Sequence, residues 1–149
     1  MVVGVVYAPV LGKLYYAVRG EGAYLEDRGE GSVRQLQVSG RHDELVALAS
    51  RSHEDPKVLG LYERFGAVIS EVRQVGSSLK GCLIAEGIGD VYYRFGPIWQ
   101  WDTAAMQCIV EEAGGLVAYL DGSEILYNVE EVRHPQGFYV LNSRVNLWL

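Results

Sequence analysis

Cysteine is scarce in this 149-residue chain: Cys82 and Cys108 are the only two. Two thiols give no disulfide framework and no metal-ligand spacing, so reduced cysteines in a cytoplasmic protein are expected. Long apolar runs are missing as well. None approaches the ~18 residues a membrane span needs, which leaves at most peripheral membrane contact. No basic segment precedes the apolar start Met1-Val2-Val3, so a secretory leader is not expected. Positive charge is in the minority, with 13 Lys and Arg against 19 Asp and Glu and a net charge of −6. That balance speaks against a nucleic-acid polymer as partner but leaves room for one small basic pocket. Repeats, low-complexity tracts and linkers are also lacking, and the length fits one domain.

What is present is core material. Hydrophobic residues make up 49% of the chain and charged residues 21%, far from the composition of a disordered tail. Val2–Ala8, Leu14–Val18 and Ala23–Leu25 read as strands joined by Pro- and Gly-containing turns, and 33–38 as a half-exposed strand. Residues 1–40 are thus expected to form an antiparallel meander. A core strand at the second residue predicts either an edge position or a preceding element. From Leu45 strands and helices alternate through residue 149. Leu45–Ala49 is a buried strand, and Val58, Leu61, Tyr62 and Phe65 recur at helical spacing after Ser52-His53. A strand follows at Ala67–Val72. Gly76-Ser77-Ser78 opens a helix running to Glu86, and Asp90–Phe95 is a strand. A helix spans about Asp102–Ala113, and Leu116–Leu120 and Phe138–Leu141 are strands. Strands first, then alternation, predict a layered mixed α/β fold of the αβαβα kind.

Three segments carry candidate chemistry. In Trp99-Gln100-Trp101-Asp102-Thr103-Ala104-Ala105, Asp102 stands at a helix start. It reads as an N-cap, or as a carboxylate offered to a hard cation such as Mg²⁺. In Gly76-Ser77-Ser78-Leu79-Lys80, a glycine and two hydroxyls precede a helix and place Ser77 and Lys80 on one face. That pattern suits an anion, or simply a capped helix with a solvated lysine. Arg94, in Tyr92-Tyr93-Arg94-Phe95, could grip a phosphate with its fork or lie along the surface. His53 suits a cap or a substrate contact, and His134 a solvated loop.

Taken in order, these segments resemble the inositol-monophosphatase-like superfamily. They run Gly4-Val5-Val6-Tyr7-Ala8-Pro9, Gly76 to Lys80, Asp90 to Pro97, Trp101 to Ala105, and Glu112-Ala113-Gly114-Gly115. The likeness covers Val3 to about Asn142. Trp101 to Ala105 and Glu112 to Gly115 are specific for the superfamily. Gly76 to Lys80 and Arg94 point within it to CysQ-type 3′(2′),5′-bisphosphate nucleotidases. Inositol monophosphatases usually carry an Ala-rich segment in place of Ser-Leu-Lys, and Glu where Arg94 stands. The resemblance implies a Mg²⁺-dependent, typically lithium-sensitive phosphatase that splits 3′-phosphoadenosine 5′-phosphate to AMP and phosphate through metal-activated water. By position, Asp102 matches a metal-ligand aspartate, and Ser77, Lys80 and Arg94 match substrate-binding positions. His53 falls near another substrate contact, although its flanks match poorly.

One departure is large. The Gly-Glu-x-x-Glu helix and the Asp-Pro-x-Asp-Gly-Thr loop that supply such enzymes with most metal ligands do not occur in these 149 residues. The chain therefore resembles the C-terminal half to two-thirds of a single phosphatase domain. No catalytic residue is identified in it, and alone it is expected to be inactive. An inositol-phosphate or fructose-bisphosphate specificity on the same fold, and a non-catalytic anion-binding fragment, are the competing readings. The expected partner is a small phosphorylated nucleotide, with room for a homo-oligomer.

Overall fold

A computed structural model of the chain describes residues 1–51 and 55–149. The first sheet is an antiparallel meander in sequence order: β1 (Val3–Ala8), β2 (Lys13–Val18), β3 (Gly22–Asp27) and β4 (Ser32–Gln35). The second has the order β6-β5-β7-β11-β9, built from β5 (Leu45–Ser50), β6 (Ile69–Val75), β7 (Val91–Arg94), β9 (Leu116–Tyr119) and β11 (Phe138–Leu141). In it β5 runs parallel to both β6 and β7, while β11 is antiparallel to β7 and β9. The all-apolar run Leu45–Leu48 is buried, as a central strand covered on both faces requires.

Between the sheets lie α2 (Leu79–Ala85) and α3 (Gln100–Glu112), packed on each other. The larger hydrophobic cluster fills this middle layer, with Tyr15, Leu25, Leu48, Ile84, Met106, Ile109 and Val140 fully or almost fully buried. Its close approaches depend on glycine. A Cβ on Gly4 would fall 2.8 Å from Cys108 Cβ, so β1 can lie directly on α3 only because residue 4 has no side chain. Gly81 lets Met106 press against α2 in the same way. On the other face of the second sheet, α1 (Pro56–Arg64) packs Val58, Leu61 and Tyr62 on Tyr93 and Tyr139. The layers therefore run β, α, β, α. The expected layered α/β fold is present, and among the described residues no helix covers the outer face of the meander.

Several boundaries differ from the sequence expectation for local reasons. Asp55 caps α1 by accepting from the Lys57 amide at 2.9 Å, and Ser52 and His53 lie outside the described residues. Helix α3 begins at Gln100 rather than Asp102. The Gln100 side chain accepts from the Asn128 amide at 2.9 Å and donates to the Glu131 carbonyl at 3.0 Å, anchoring the earlier start. Just before it, a two-residue ladder joins β8 (Ile98–Trp99) to β10 (Arg133–His134), which the sequence reading did not anticipate. At the far end of α3, the Glu112 carboxylate accepts from the amides of Gly20 and Gly22 at 3.0 and 2.9 Å, fixing the β2–β3 turn to the helix.

Candidate active site

Parallel strands leave their carboxyl ends as a natural crevice for ligands. Ser50, Val75 and Arg94 are the last residues of β5, β6 and β7, and all three line one cleft of about 320 Å³. The starts of α2 and α3 close its other side, bringing in Ser77, Lys80 and Asp102. Four of the five residues singled out from sequence thus meet in one place, although they are up to 25 positions apart in the chain. The fifth, His53, lies outside the described residues.

Lys80 is not the solvated lysine of the simpler reading. It is 3% exposed, its Nζ donates to the Val75 carbonyl at 3.1 Å, and it sits 4.8 Å from the Tyr92 ring centroid. Burial, and then the nearby Arg94 charge, push its pKa down from an ordinary 10.5 to about 8. Arg94 donates through Nη2 to the Pro97 carbonyl at 3.1 Å, while its buried Nε has no partner. No ion pair to a carboxylate is formed by Lys80 or Arg94 among the described residues. Both cations line the cleft, with donors to spare. Tyr92 between them is mostly buried, and burial raises its phenol pKa.

Ser77 is exposed and holds a left-handed φ of 53°, a conformation few non-glycine residues adopt. Ser78 does not cap α2; its hydroxyl donates to the Asp102 carbonyl at 3.0 Å and clips the two helix starts together. Because α3 starts early, Asp102 is at the third helical position rather than the N-cap. Its Oδ2 accepts weakly from the Trp99 amide at 3.3 Å, and its carboxylate remains exposed to the cleft. Helix α2 has only seven residues, so its dipole adds little to anion binding. The positive character comes from the side chains of Lys80, Arg94 and Arg51.

Sequence reasoning missed Ser50 and Arg51, which also line the cleft. Their signal was positional: polar residues immediately after a fully apolar strand stand at the mouth of a parallel sheet. His134 is a correction. Rather than a solvated loop residue it is 2% exposed, enclosed edge-on by Tyr119 and Tyr127, and hydrogen-bonded through Nδ1 to the Tyr119 hydroxyl. Burial lowers its pKa and favours the neutral ring.

The inositol monophosphatase family model matches residues 1–146. The chain belongs to the inositol monophosphatase family. Among family members it is 41% identical over 139 residues to a 3′(2′),5′-bisphosphate nucleotidase CysQ of Salmonella typhimurium, covering 93% of this chain and 54% of that protein. It is 35% identical over 132 residues to inositol monophosphatase 2 of Saccharomyces cerevisiae, covering 78% of this chain and 43% of that one. The crystal structure of CysQ from Bacteroides thetaiotaomicron superposes with a TM-score of 0.79 at 35% identity, over 95% of this chain and 58% of the other. The chain spans about half the length of the curated relatives it matches.

The family implies Mg²⁺, and the described residues do not complete a site for it. No three of their His, Cys, Asp or Glu side chains cluster as metal ligands, whereas Mg²⁺ demands near-octahedral oxygen coordination. Asp102 offers a single carboxylate toward such a site.

The Lys80 environment gives a pH dependence. Between about 8 and 10.5 the folded chain binds fewer protons than the unfolded chain. Burying the ammonium therefore costs stability below pH 8, and that cost fades as pH rises through this window. Anion binding needs the charged form and runs the other way. Sulfate, whose charge is constant in this range, is expected to bind about tenfold more weakly at about pH 9 than at about pH 7. Calorimetric titration at both values checks this, and Lys80→Met should flatten the difference. An unchanged parental affinity would remove Lys80 from the anion site.

Proposed function

We propose that this chain forms the phosphate-binding part of a single phosphatase domain that acts on a small bisphosphate nucleotide. Its proposed substrate is 3′-phosphoadenosine 5′-phosphate, hydrolysed to AMP and phosphate in the cytoplasm. The observation that carries this reading is the pair Lys80 and Arg94: two cations lining one cleft, neither of them ion-paired to a carboxylate among the described residues. Such a pair is costly to hold together and suits a ligand that brings more negative charge than one phosphoryl group. The 41% identity to a bisphosphate nucleotidase supports the same choice.

Each residue has a distinct part. Arg94 presents its planar fork to the phosphoryl group that is not cleaved, and Lys80 acts on it as a compact point charge. Ser77 offers a hydroxyl at the cleft rim. Asp102 contributes one carboxylate to a Mg²⁺ site whose other ligands the described residues do not supply. His53 is retained as a substrate contact on resemblance alone. No helix of the described residues is long and apolar enough to cross a membrane. That Asp102 is the one carboxylate lining the cleft among the described residues favours a second reading of the isolated chain, as an anion-binding module without turnover.

Titration of the purified chain with 3′-phosphoadenosine 5′-phosphate, AMP and inositol 1-phosphate tests the proposal. The bisphosphate should bind at least about tenfold more tightly than either monophosphate, the value of one extra charge-assisted contact. Equal affinities would overturn the bisphosphate assignment. Phosphate release measured in parallel with Mg²⁺ separates the readings: binding without release supports the module, and release supports complete catalysis by this chain.

A further inference from the structure

His134 does not line the phosphate cleft, yet it is built into the element that sets one side of it. β10 pairs antiparallel with β8, and His134 lies opposite Ile98, a residue of the cleft lining. One residue past β8, the Gln100 amide donates to the Val132 carbonyl at 3.0 Å. There α3 begins, and it carries Asp102 to the cleft. Residues 120–132 form no strand or helix and are tied to α3 by side chains. The Tyr127 hydroxyl donates to Gln107 Oε1 at 2.6 Å and meets the Thr103 hydroxyl at 3.1 Å, while Gln100 takes the Asn128 amide. His134 closes this arrangement. Its Nδ1 is hydrogen-bonded to the Tyr119 hydroxyl, and the ring centroids of Tyr119 and Tyr127 lie 5.5 and 5.8 Å from its own. Its Nε2 is buried without a partner, and no carboxylate forms an ion pair with the ring among the described residues. Of the charged groups around the enclosure, Asp121 acts on Tyr119 and Glu111 on Tyr127, and the neighbouring Arg133 is exposed.

We infer that His134 is a proton-operated latch that positions the start of α3: neutral, it keeps β10 on β8 beside the cleft, and with a second ring proton it releases them. The enclosure suits an imidazole and not an imidazolium. The second proton adds charge among phenol rings and leaves an N–H at Nε2 with no acceptor. The two tyrosines supply no compensating charge, because burial raises both phenol pKa values. Histidine in water protonates near 6.5, and burial lowers that value here. An open form with His134 in water therefore takes up the proton that the closed form resists, and acid shifts the balance toward opening. Opening frees Ile98 from the cleft lining and Trp99, whose amide meets Asp102 Oδ2 at 3.3 Å. His134 is thus a positioning residue, acting on the cleft through β8.

Amide exchange at Gln100 in the ¹⁵N-labelled chain, corrected for intrinsic rates, reads the opening directly. Between about pH 7.5 and about pH 5 the open fraction should rise by up to about thirtyfold, the ceiling for a group that titrates near 6.5 when open and stays neutral when closed. Exchange at Ile109, buried in the middle of α3, should change much less, which separates the latch from global unfolding. His134→Gln keeps a neutral hydrogen-bonding side chain and should flatten the profile. Tyr119→Phe removes the partner of Nδ1 and should raise opening at every pH. The link to the cleft rests on its reading as an anion site and is measured separately. Sulfate at about ten times its Kd should slow exchange at Gln100 about tenfold near neutral pH, since the latched form binds it and the open form does not. A flat profile in the parent, or an unchanged one in His134→Gln, would overturn the latch. Sulfate that binds without slowing Gln100 would overturn its link to the cleft. Sulfate that fails to bind would count against the anion site, and the pH profile alone would then decide the latch.

Discussion

Arg94→Glu is expected to weaken binding of 3′-phosphoadenosine 5′-phosphate by about 100-fold or more, while AMP loses much less. Removing one charge-assisted hydrogen bond costs roughly 1.5–3 kcal/mol, which is already about ten- to a hundred-fold. Glutamate adds repulsion to that loss. The guanidinium lies on the cleft wall beside Lys80, with an unpartnered Nε and no carboxylate pairing among the described residues. Its charge is therefore free for a ligand, and the Pro97 carbonyl holds one end of the fork in place at 3.1 Å. Arg94→Lys should recover only part of the affinity, since an ammonium keeps the charge and loses the bidentate geometry. Calorimetry on the parent and both variants, beside thermal melts, separates a binding defect from a folding defect. Equal losses on bisphosphate and monophosphate would mean that Arg94 serves general binding or the fold.

Asp90→Ala should have the largest effect on stability, at about 3 kcal/mol, because it removes a fully buried carboxylate and leaves the buried Val46 amide and the Ser39 hydroxyl without their acceptor. Against a typical total of about 5–15 kcal/mol, a loss of that size leaves a substantial unfolded population near physiological temperature. Asp90 is fully buried just before β7, at the opposite end of the sheet from the cleft. Its carboxylate takes the Arg41 guanidinium at 3.0 Å, the Val46 amide at 2.7 Å and the Ser39 hydroxyl. The Asn142 side chain joins it at 3.3 Å and reaches the Arg41 carbonyl at 3.0 Å. One carboxylate thus ties the segment after the meander to β5 and to the C-terminal segment. Asp90→Asn keeps the shape and should cost less. Urea unfolding of the three proteins measures the difference, and a loss below about 1 kcal/mol would show that the network relaxes around the missing charge.

The contrast between these aspartates shows what sequence could and could not convey. Asp102 was legible because it sits in a short segment of specific composition at a helix start, although its place moved from the cap to the third position. The shift came from Gln100, whose side chain reaches residues about 30 positions away. Asp90 looked like the first residue of a strand, and its four partners come from three distant parts of the chain. His134 misled for the same reason. Its neighbours Arg133 and Pro135 read as surface loop, while the tyrosines that enclose it arrive from β9 and the loop after it. Arg51 carried no local pattern, and only the parallel pairing of β5 with β6 brings it beside Gly76. The layered α/β fold was readable from apolar periodicity and turn residues. The burial of Lys80 was not, because only the packing of α2 between two sheets removes that ammonium from water.

The central claim is that one cleft, lined by Lys80, Arg94 and Asp102, receives a nucleotide through both of its phosphoryl groups. Amide shift mapping of the ¹⁵N-labelled chain during titration with 3′-phosphoadenosine 5′-phosphate, with ³¹P spectra of the same samples, tests it most directly. The account predicts saturable shifts concentrated at Gly76 to Lys80, Tyr92 to Arg94 and Asp102, with both phosphorus signals of the ligand moving together. Shifts centred elsewhere on the molecule, or a single phosphorus signal that responds, would contradict it.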